Sequence, residues 1–208
     1  MALLSSIDFD FDQSINVGGP AWRIGQVEDI IPPWVWVDAF TSEQCDSITA
    51  MADRLGLRTG RTGSEGQTSR RKSSVCFLQP SPMTHWVFDR LGHVVIEANK
   101  YFDFEIDGFY EGAQFTRYEP PNGHYDWHVD RGTGLIPRKL SITIPMNDPE
   151  GYEGGVFEIN HAGGDPEPVR PLRGQAIVFP SWSLHRVTPV TSGVRDSLVV
   201  WVTGPPFK

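Results

Sequence analysis

Beyond residue 108 the chain breaks into short strand-like runs, over 113–118, 124–130, 139–146, 155–159, 176–179, 185–190 and 197–203, separated by Gly and Pro. Short runs at this spacing pair into a sandwich or jelly roll, because strands joined by tight turns must bury one face against a second sheet. Two helical patterns come earlier. Thr41-Ser42-Glu43-Gln44 reads as a capping box, and Ile48, Met51 and Leu55 follow at helical spacing, so a helix is predicted over 42–55. Trp86, Val87, Leu91, Val94, Val95 and Ala98 make one apolar stripe and predict a second helix over 84–101. Short strands are expected at 34–40 and 75–78. Residues 56–74 are polar, Gly-rich and basic, which predicts a loop, and 1–33 read as an irregular lead-in with room for one early strand. The expected class is mainly β with flanking helices (α+β), a jelly-roll core with two helices packed outside one sheet.

At 208 residues the chain suits a single domain, 1–208, with a helical support region over 1–107 and the jelly-roll core over 108–206. A net charge of −8 argues against a nucleic-acid partner, since non-specific binding depends on Lys and Arg neutralising phosphates. Cys45 and Cys76 stand far apart, outside any C-x-x-C arrangement, and read as free thiols in a reducing compartment. The apolar start of the chain lacks basic residues before it, and no run is apolar for long enough to span a bilayer. A cytoplasmic protein without a membrane partner is expected. Oligomeric state leaves no mark in the sequence.

The segment His124-Tyr125-Asp126-Trp127-His128-Val129-Asp130 contains His-x-Asp twice. Residues two apart on a strand share a face, so either pair can offer an imidazole and a carboxylate to one point. Both cannot serve one metal. His124 and Asp126 adjoin the turn Pro120-Pro121-Asn122-Gly123, where water can satisfy them, whereas His128 and Asp130 lie deeper, and a buried carboxylate requires a cation. Depth therefore favours His128 and Asp130. His85 and His93 belong to the second helix, and His161 falls in a Gly-rich loop. His185 follows the apolar run 176–179 and a turn, at the start of the next strand. A lone histidine there is more often structural, but a paired His-x-Asp elsewhere reverses that preference, and two His with one carboxylate form the set that holds non-heme Fe(II) with open positions.

Arg195 and Ser197 share a face at the opening of the last strand. A guanidinium binds a carboxylate through two parallel hydrogen bonds, and a neighbouring hydroxyl can donate a third. Without the metal set, a surface arginine in a turn is an equal reading.

These residues resemble the prolyl 4-hydroxylase-like branch of the Fe(II)- and 2-oxoglutarate-dependent oxygenases. The resemblance covers roughly 70–206 and rests on Gln114-Phe115-Thr116-Arg117-Tyr118, the segment from Gly123 to Asp130, Arg138-Lys139-Leu140-Ser141, Tyr152-Glu153-Gly154-Gly155, Phe179-Pro180-Ser181, His185-Arg186-Val187 and Pro189 to Arg195. The family pattern Tyr-x-x-His-x-Asp falls on Tyr125, His128 and Asp130. The resemblance implies a double-stranded β-helix in which His128, Asp130 and His185 are the metal and catalytic residues. It further implies Arg195, with Ser197 nearby, as the partner of the far carboxylate of 2-oxoglutarate, and Tyr118 as a hydrogen-bonding contact to the same cosubstrate. Fe(II), 2-oxoglutarate and O2 are the implied cofactors, with ascorbate as a compatible reductant. The implied reaction is hydroxylation of a C–H bond with release of succinate and CO2, and Asp130, which related halogenases lack, favours hydroxylation. The strand after Arg138 lacks a tyrosine that the family sometimes carries, so cosubstrate contacts differ in detail. Ser141 and Thr143 can face the cosubstrate or the core, Phe157 and Trp201 can wall the pocket or fill the core, and Trp127 and Trp182 flank ligands near the expected mouth.

The basic segment 58–72 suits a lid over the pocket, with a solvated excursion as the equal alternative. The corresponding region of related hydroxylases helps hold a peptide. A protein or peptide side chain such as prolyl is therefore the first expected substrate, ahead of a free amino acid or small natural product. A non-catalytic jelly-roll binding protein would not require both the ligand set and Arg195, and a zinc hydrolase would give no reason for Arg195 and Tyr118. A nucleic-acid demethylase conflicts with the acidic balance.

Overall fold

A computed structural model describes residues 34–60, 70–130, 137–160 and 165–206. In chain order come β1 (Val35–Asp38), α1 (Ser42–Leu55), β2 (Arg58–Thr59), β3 (Arg71–Lys72), β4 (Ser74–Leu78) and α2 (His85–Phe102). Then follow β5 (Ala113–Tyr118), β6 (Gly123–His128), β7 (Arg138–Pro145), a single 3-10 turn, β8 (Tyr152–Gly154) and β9 (Phe157–Asn160). The chain closes with β10 (Glu167–Val169), β11 (Gln175–Pro180), β12 (Leu184–Gly193) and β13 (Arg195–Thr203). Two antiparallel sheets result, a major one in the order β1-β11-β7-β13-β5-β4-β2 and a minor one in the order β10-β9-β12-β6-β3, with β8 against β12.

The predicted class holds: two sheets with both helices on the outer face of the major sheet. The first helix starts where its capping box requires. Thr41 Oγ1 accepts from Gln44 N, and the Gln44 side chain accepts from Thr41 N, so two otherwise unpaired donors are satisfied reciprocally. The second ends at Asp103, whose left-handed backbone directs its N–H to Asn99 O. Alternation along the central strands sorts the remaining residues. Leu140, Ile142 and Ile144 of β7 and Leu198, Val200 and Val202 of β13 pack against the helices with Ile48, Leu91, Val94 and Ala98. Each such aliphatic side chain, once fully buried, stabilises the fold by roughly 1.5–3 kcal/mol. The odd-numbered neighbours, Ser141, Thr143, Arg195 and Ser197, fall on the opposite side, between the sheets. There a smaller cluster of Tyr118, Phe157, Ile159, Ile177, Phe179 and Val187 leaves a polar cavity beside it.

Several expectations are corrected. The strand predicted over 124–130 ends at His128, so Asp130 lies beyond it. The loop predicted over 56–74 is tied down at both ends, because β2 pairs β4 and β3 pairs β6. Neither β8 nor β10 was anticipated, since three-residue strands carry too few alternations to show a period. Residues 61–69 of the expected lid, the lead-in over 1–33 and His161 lie outside the described residues.

Candidate active site

The cavity between the sheets has a volume of about 570 Å³. On its minor-sheet wall β6 and β12 run antiparallel with His128 opposite His185, and the two imidazoles lie 4.1 Å apart between ring centroids. Each ring is fixed by the carbonyl two residues before it: His128 Nδ1 lies 2.7 Å from Asp126 O, and His185 Nδ1 lies 2.9 Å from Ser183 O. A carbonyl only accepts, so Nδ1 carries the proton and Nε2 presents its lone pair to the cavity. Asp130 reaches the same point from beyond β6. Its N–H donates to Ser181 O at 2.8 Å, its carbonyl accepts from Arg138 Nη1 at 3.1 Å, and its Oδ2 accepts from Ser141 Oγ at 2.9 Å. Its carboxylate oxygens lie 3.6 Å from His128 Nε2 and 3.5 Å from His185 Nε2. One ligand atom from each of the three residues thus lies within 4.8 Å of the others.

Electrostatics suit a metal. Burial, followed by the facing His185, pushes His128 down from its ordinary 6.5 to about 3, so the ring is neutral and its Nε2 is open to a metal. For Asp130, burial opposes the anion, yet positive charge on His185 and His128 once the rings take up protons, with the Trp201 indole and the Ser141 hydroxyl, outweighs it and holds the carboxyl below its ordinary range. The Trp201 N–H contributes from outside hydrogen-bonding geometry, and among the described residues it has no partner.

Arg195 is the other buried group with an unmet donor. Its residue is 3% exposed, and Nη1 donates to Ser197 Oγ at 3.3 Å. Its guanidinium lies 5.4 Å from the centroid of Tyr118, which is its partner across the β5–β13 ladder. Nε has no acceptor among the described residues. A guanidinium buried in this state is costly unless an acceptor arrives, and a carboxylate is the acceptor that matches it.

All six residues singled out from the sequence, His128, Asp130, His185, Arg195, Tyr118 and Ser197, line this one cavity. Thr143, Phe157 and Trp201 line it too, whereas Ser141 is not among the lining residues and donates to Asp130. Trp127 and Trp182 are not at its mouth: Trp127 lies under the Arg186 guanidinium at 4.6 Å, and Trp182 packs on Phe104 at 5.5 Å. The competing pair, His124 and Asp126, repeats the local pattern, with His124 Nδ1 at 2.8 Å from Asn122 O and Nε2 at 3.9 Å from Asp126, but Asp126 is exposed. Among the described residues, only His128, Asp130 and His185 form a three-ligand group. Arg71 was missed. It lines the cavity from β3, and a two-residue strand inside a basic loop gives no inward signal.

Two facing imidazoles, a carboxylate with satisfied neighbours and a buried arginine with an open Nε, on a double-sheet scaffold, define a jelly roll with a candidate site for a metal and a carboxylate. The donor set fits Fe(II), and Arg195 Nε fits one carboxylate of a dicarboxylic acid. Known proteins agree with that class. The 2OG-Fe(II) oxygenase superfamily matches residues 113–203. A PKHD-type hydroxylase of Xylella fastidiosa (strain M12) is 31% identical over 172 residues, covering 74% of this chain and 72% of the relative. One from Methylobacillus flagellatus is 30% identical over 172 residues, covering 79% and 75%. Among solved structures, a Pseudomonas putida prolyl-4-hydroxylase superposes with a TM-score of 0.68 at 20% identity, covering 84% of this chain and 94% of that one. The viral collagen prolyl hydroxylase of Paramecium Bursaria Chlorella virus-1, in its 2OG complex, gives 0.64 at 22%, covering 83% and 97%. The chain belongs to the 2OG-Fe(II) oxygenase superfamily, in the prolyl 4-hydroxylase-like branch with the PKHD-type hydroxylases. It is an oxygenase that uses Fe(II), 2-oxoglutarate and O2. Among the described residues no helix is long and apolar enough to cross a membrane.

Proposed function

We propose that His128, Asp130 and His185 hold the Fe(II), and that Arg195, backed by Ser197 and Tyr118, holds the far carboxylate of 2-oxoglutarate. The enzyme then hydroxylates a C–H bond of a protein or peptide side chain, prolyl first, with release of succinate and CO2. The observation that carries this reading is the unpaired Arg195 Nε buried in the same cavity as the His-Asp-His group. Bound iron with its cosubstrate supplies the activation of O2. The chain's own residues do the rest. The Nδ1–H contacts to Asp126 O and Ser183 O keep both rings in the ligand tautomer, and Ser141 fixes the orientation of the carboxylate. Ser197 Oγ accepts from Arg195 and keeps its own O–H for a ligand oxygen. Phe157, Phe179 and Trp201 wall the cavity and exclude water from the reacting centre.

The peptide assignment is supported by the likeness in fold to prolyl hydroxylases, one of them, from Trichoplax adhaerens, solved with a hypoxia inducible factor peptide fragment at a TM-score of 0.66. A free amino acid or small natural product is the second reading, favoured by a second buried arginine, Arg71, in the cavity wall.

The test is anaerobic titration with Fe(II) and 2-oxoglutarate followed by assay of succinate. Asp130→Ala and His185→Ala should abolish succinate release. Arg195→Ala should raise the 2-oxoglutarate KM by roughly 10- to 100-fold, as expected for loss of charged hydrogen bonds of about 1.5–3 kcal/mol. An active Asp130→Ala enzyme would overturn the ligand assignment.

A further inference from the structure

The cavity holds a second buried guanidinium that neither the iron nor the cosubstrate uses in the proposed reading. Arg71 is 6% exposed and lines the cavity from β3. Its position is built. Nε donates to Ser73 Oγ at 2.7 Å, and one face of the guanidinium lies 4.7 Å from the centroid of Tyr125. Gly60 closes over it: a Cβ there would come within 3.0 Å of Arg71 Nε and 2.6 Å of Ser73 Oγ, so the absence of a side chain makes the room. The two terminal nitrogens have no hydrogen-bond or ion-pair partner among the described residues. With Nε committed to Ser73, the open edge of the fork is its end, where two parallel N–H groups match a carboxylate.

Among the described residues, the acids that line the cavity do not neutralise this charge. Glu111 is held by Arg138 through two bonds, at 2.7 and 2.6 Å, and Asp130 faces the imidazoles and Ser141. Fe(II) and 2-oxoglutarate bring equal and opposite charge, and Arg195 offsets Asp130. Counted over the described residues, one positive charge, that of Arg71, is left over in the cavity. The terminal nitrogens open onto the cavity, and a ligand of opposite sign entering it finds a preset fork to pair with. The location is informative as well, since Tyr125 stacks on His128 with centroids 3.5 Å apart. Arg71 therefore stands one aromatic ring away from the proposed iron.

We infer that Arg71 binds a carboxylate of the substrate and so places a carbon close to that carboxylate at the reacting centre. The inference rests on the oxygenase reading above and narrows its substrate to a carboxylate-bearing one. Three sources share this chemistry: a free amino acid, the C-terminal carboxylate of a peptide, and an acidic side chain next to the target residue.

The experiment uses the full chain loaded anaerobically with Fe(II) and 2-oxoglutarate, with binding measured by calorimetry rather than turnover. Three probe pairs separate the sources: L-proline against L-prolinamide, acetyl-Ala-Pro against its C-terminal amide, and acetyl-Pro-Asp-amide against acetyl-Pro-Asn-amide. At least one carboxylate should bind tenfold or more tightly than its amide. Arg71→Gln should reduce that preference below threefold while 2-oxoglutarate affinity stays within threefold of wild type. Arg71→Lys, which keeps the charge and loses the fork, should retain part of the preference and decides the matter if the glutamine variant does not fold. Equal affinity within every pair, absence of binding included, overturns the inference. So does a preference that survives Arg71→Gln, or a variant that loses 2-oxoglutarate instead. Failure of the wild type to bind 2-oxoglutarate would count against the placement of the cosubstrate, and the same probe pairs on the metal-free chain would still judge Arg71.

Discussion

Asp130 shows how a single buried carboxylate is made usable. It is 9% exposed, and burial alone would drive it toward the neutral acid, which is a poor ligand. Positive charge on the facing histidines, once a ring takes up a proton, and the Ser141 hydroxyl work against that tendency, and Ser141 also sets which way the carboxylate points. Ser141→Ala should therefore weaken Fe(II) binding by about tenfold, at the low end of what loss of an outer-shell partner costs a metal site. Competition against a chelator under anaerobic conditions measures it. An unchanged affinity would show that the imidazoles orient Asp130 unaided. His124→Ala should leave iron binding as it is, because His124 and Asp126 stand apart from the three-ligand group. At this scale the three-residue group was legible because metal chemistry restricts candidates to a few residue types, and the expected burial of the carboxylate picked the pair that the structure brings together with His185. Ser141 and Arg71 were not, since a serine or arginine carries no mark of its partner until the strands are paired.

The β6 strand explains what alternation alone could not supply. A regular strand would place His124, Asp126 and His128 on one face and Tyr125 on the other. Here Val187 pairs with Tyr125 and His185 with His128, so three residues of β6 span two of β12. The extra residue is a bulge. It changes the facing of the chain, brings Tyr125 to the side of His128, and leaves Asp126 exposed. Strand existence was readable from composition and spacing, whereas a bulge is a property of two strands in register and lies outside any one of them. The link between β8 and β9 makes a comparable demand. Gly155 has φ +58, and a Cβ there would lie 2.9 Å from Arg195 Cδ. Gly155→Ala should press on the arginine stem and lower stability by roughly 1–3 kcal/mol, the usual cost of a strained backbone position. The expected signature is a raised 2-oxoglutarate KM with Fe(II) affinity preserved, because Arg195 and not the ligand group is touched. Thermal unfolding and the two affinities check it, and equal losses of iron and cosubstrate would contradict this local account.

At the scale of the whole molecule the cavity joins the two sheets. His128 and His185 come from β6 and β12 of the minor sheet, while Ser141 and Arg195 come from β7 and β13 of the major one, with Asp130 bridging through Ser141. Packing two basic rings against each other in a buried space makes the metal-free fold sensitive to acid. His128 titrates at about 3 in the folded chain, against an ordinary 6.5 that the unfolded chain regains. The folded value is the lower one, so the unfolded state takes up the proton first as pH falls. The contribution to stability is fully present above about pH 6.5 and is lost progressively between 6.5 and 3, with a slope that cannot exceed about 1.4 kcal/mol per pH unit for one proton. The lowered carboxyl of Asp130 works in the same direction, below its ordinary 3.8. Urea unfolding of the metal-free protein should accordingly show a midpoint that falls from pH 6.5 to pH 5, above the range where ordinary carboxylates titrate. His128→Asn should flatten that stretch. Loading with metal should steepen it, since protons then compete with the ion for the same nitrogen. A wild-type midpoint that stays constant from pH 6.5 to pH 5 would contradict a neutral, buried His128, and with it the premise that the fold holds this ring ready as a ligand.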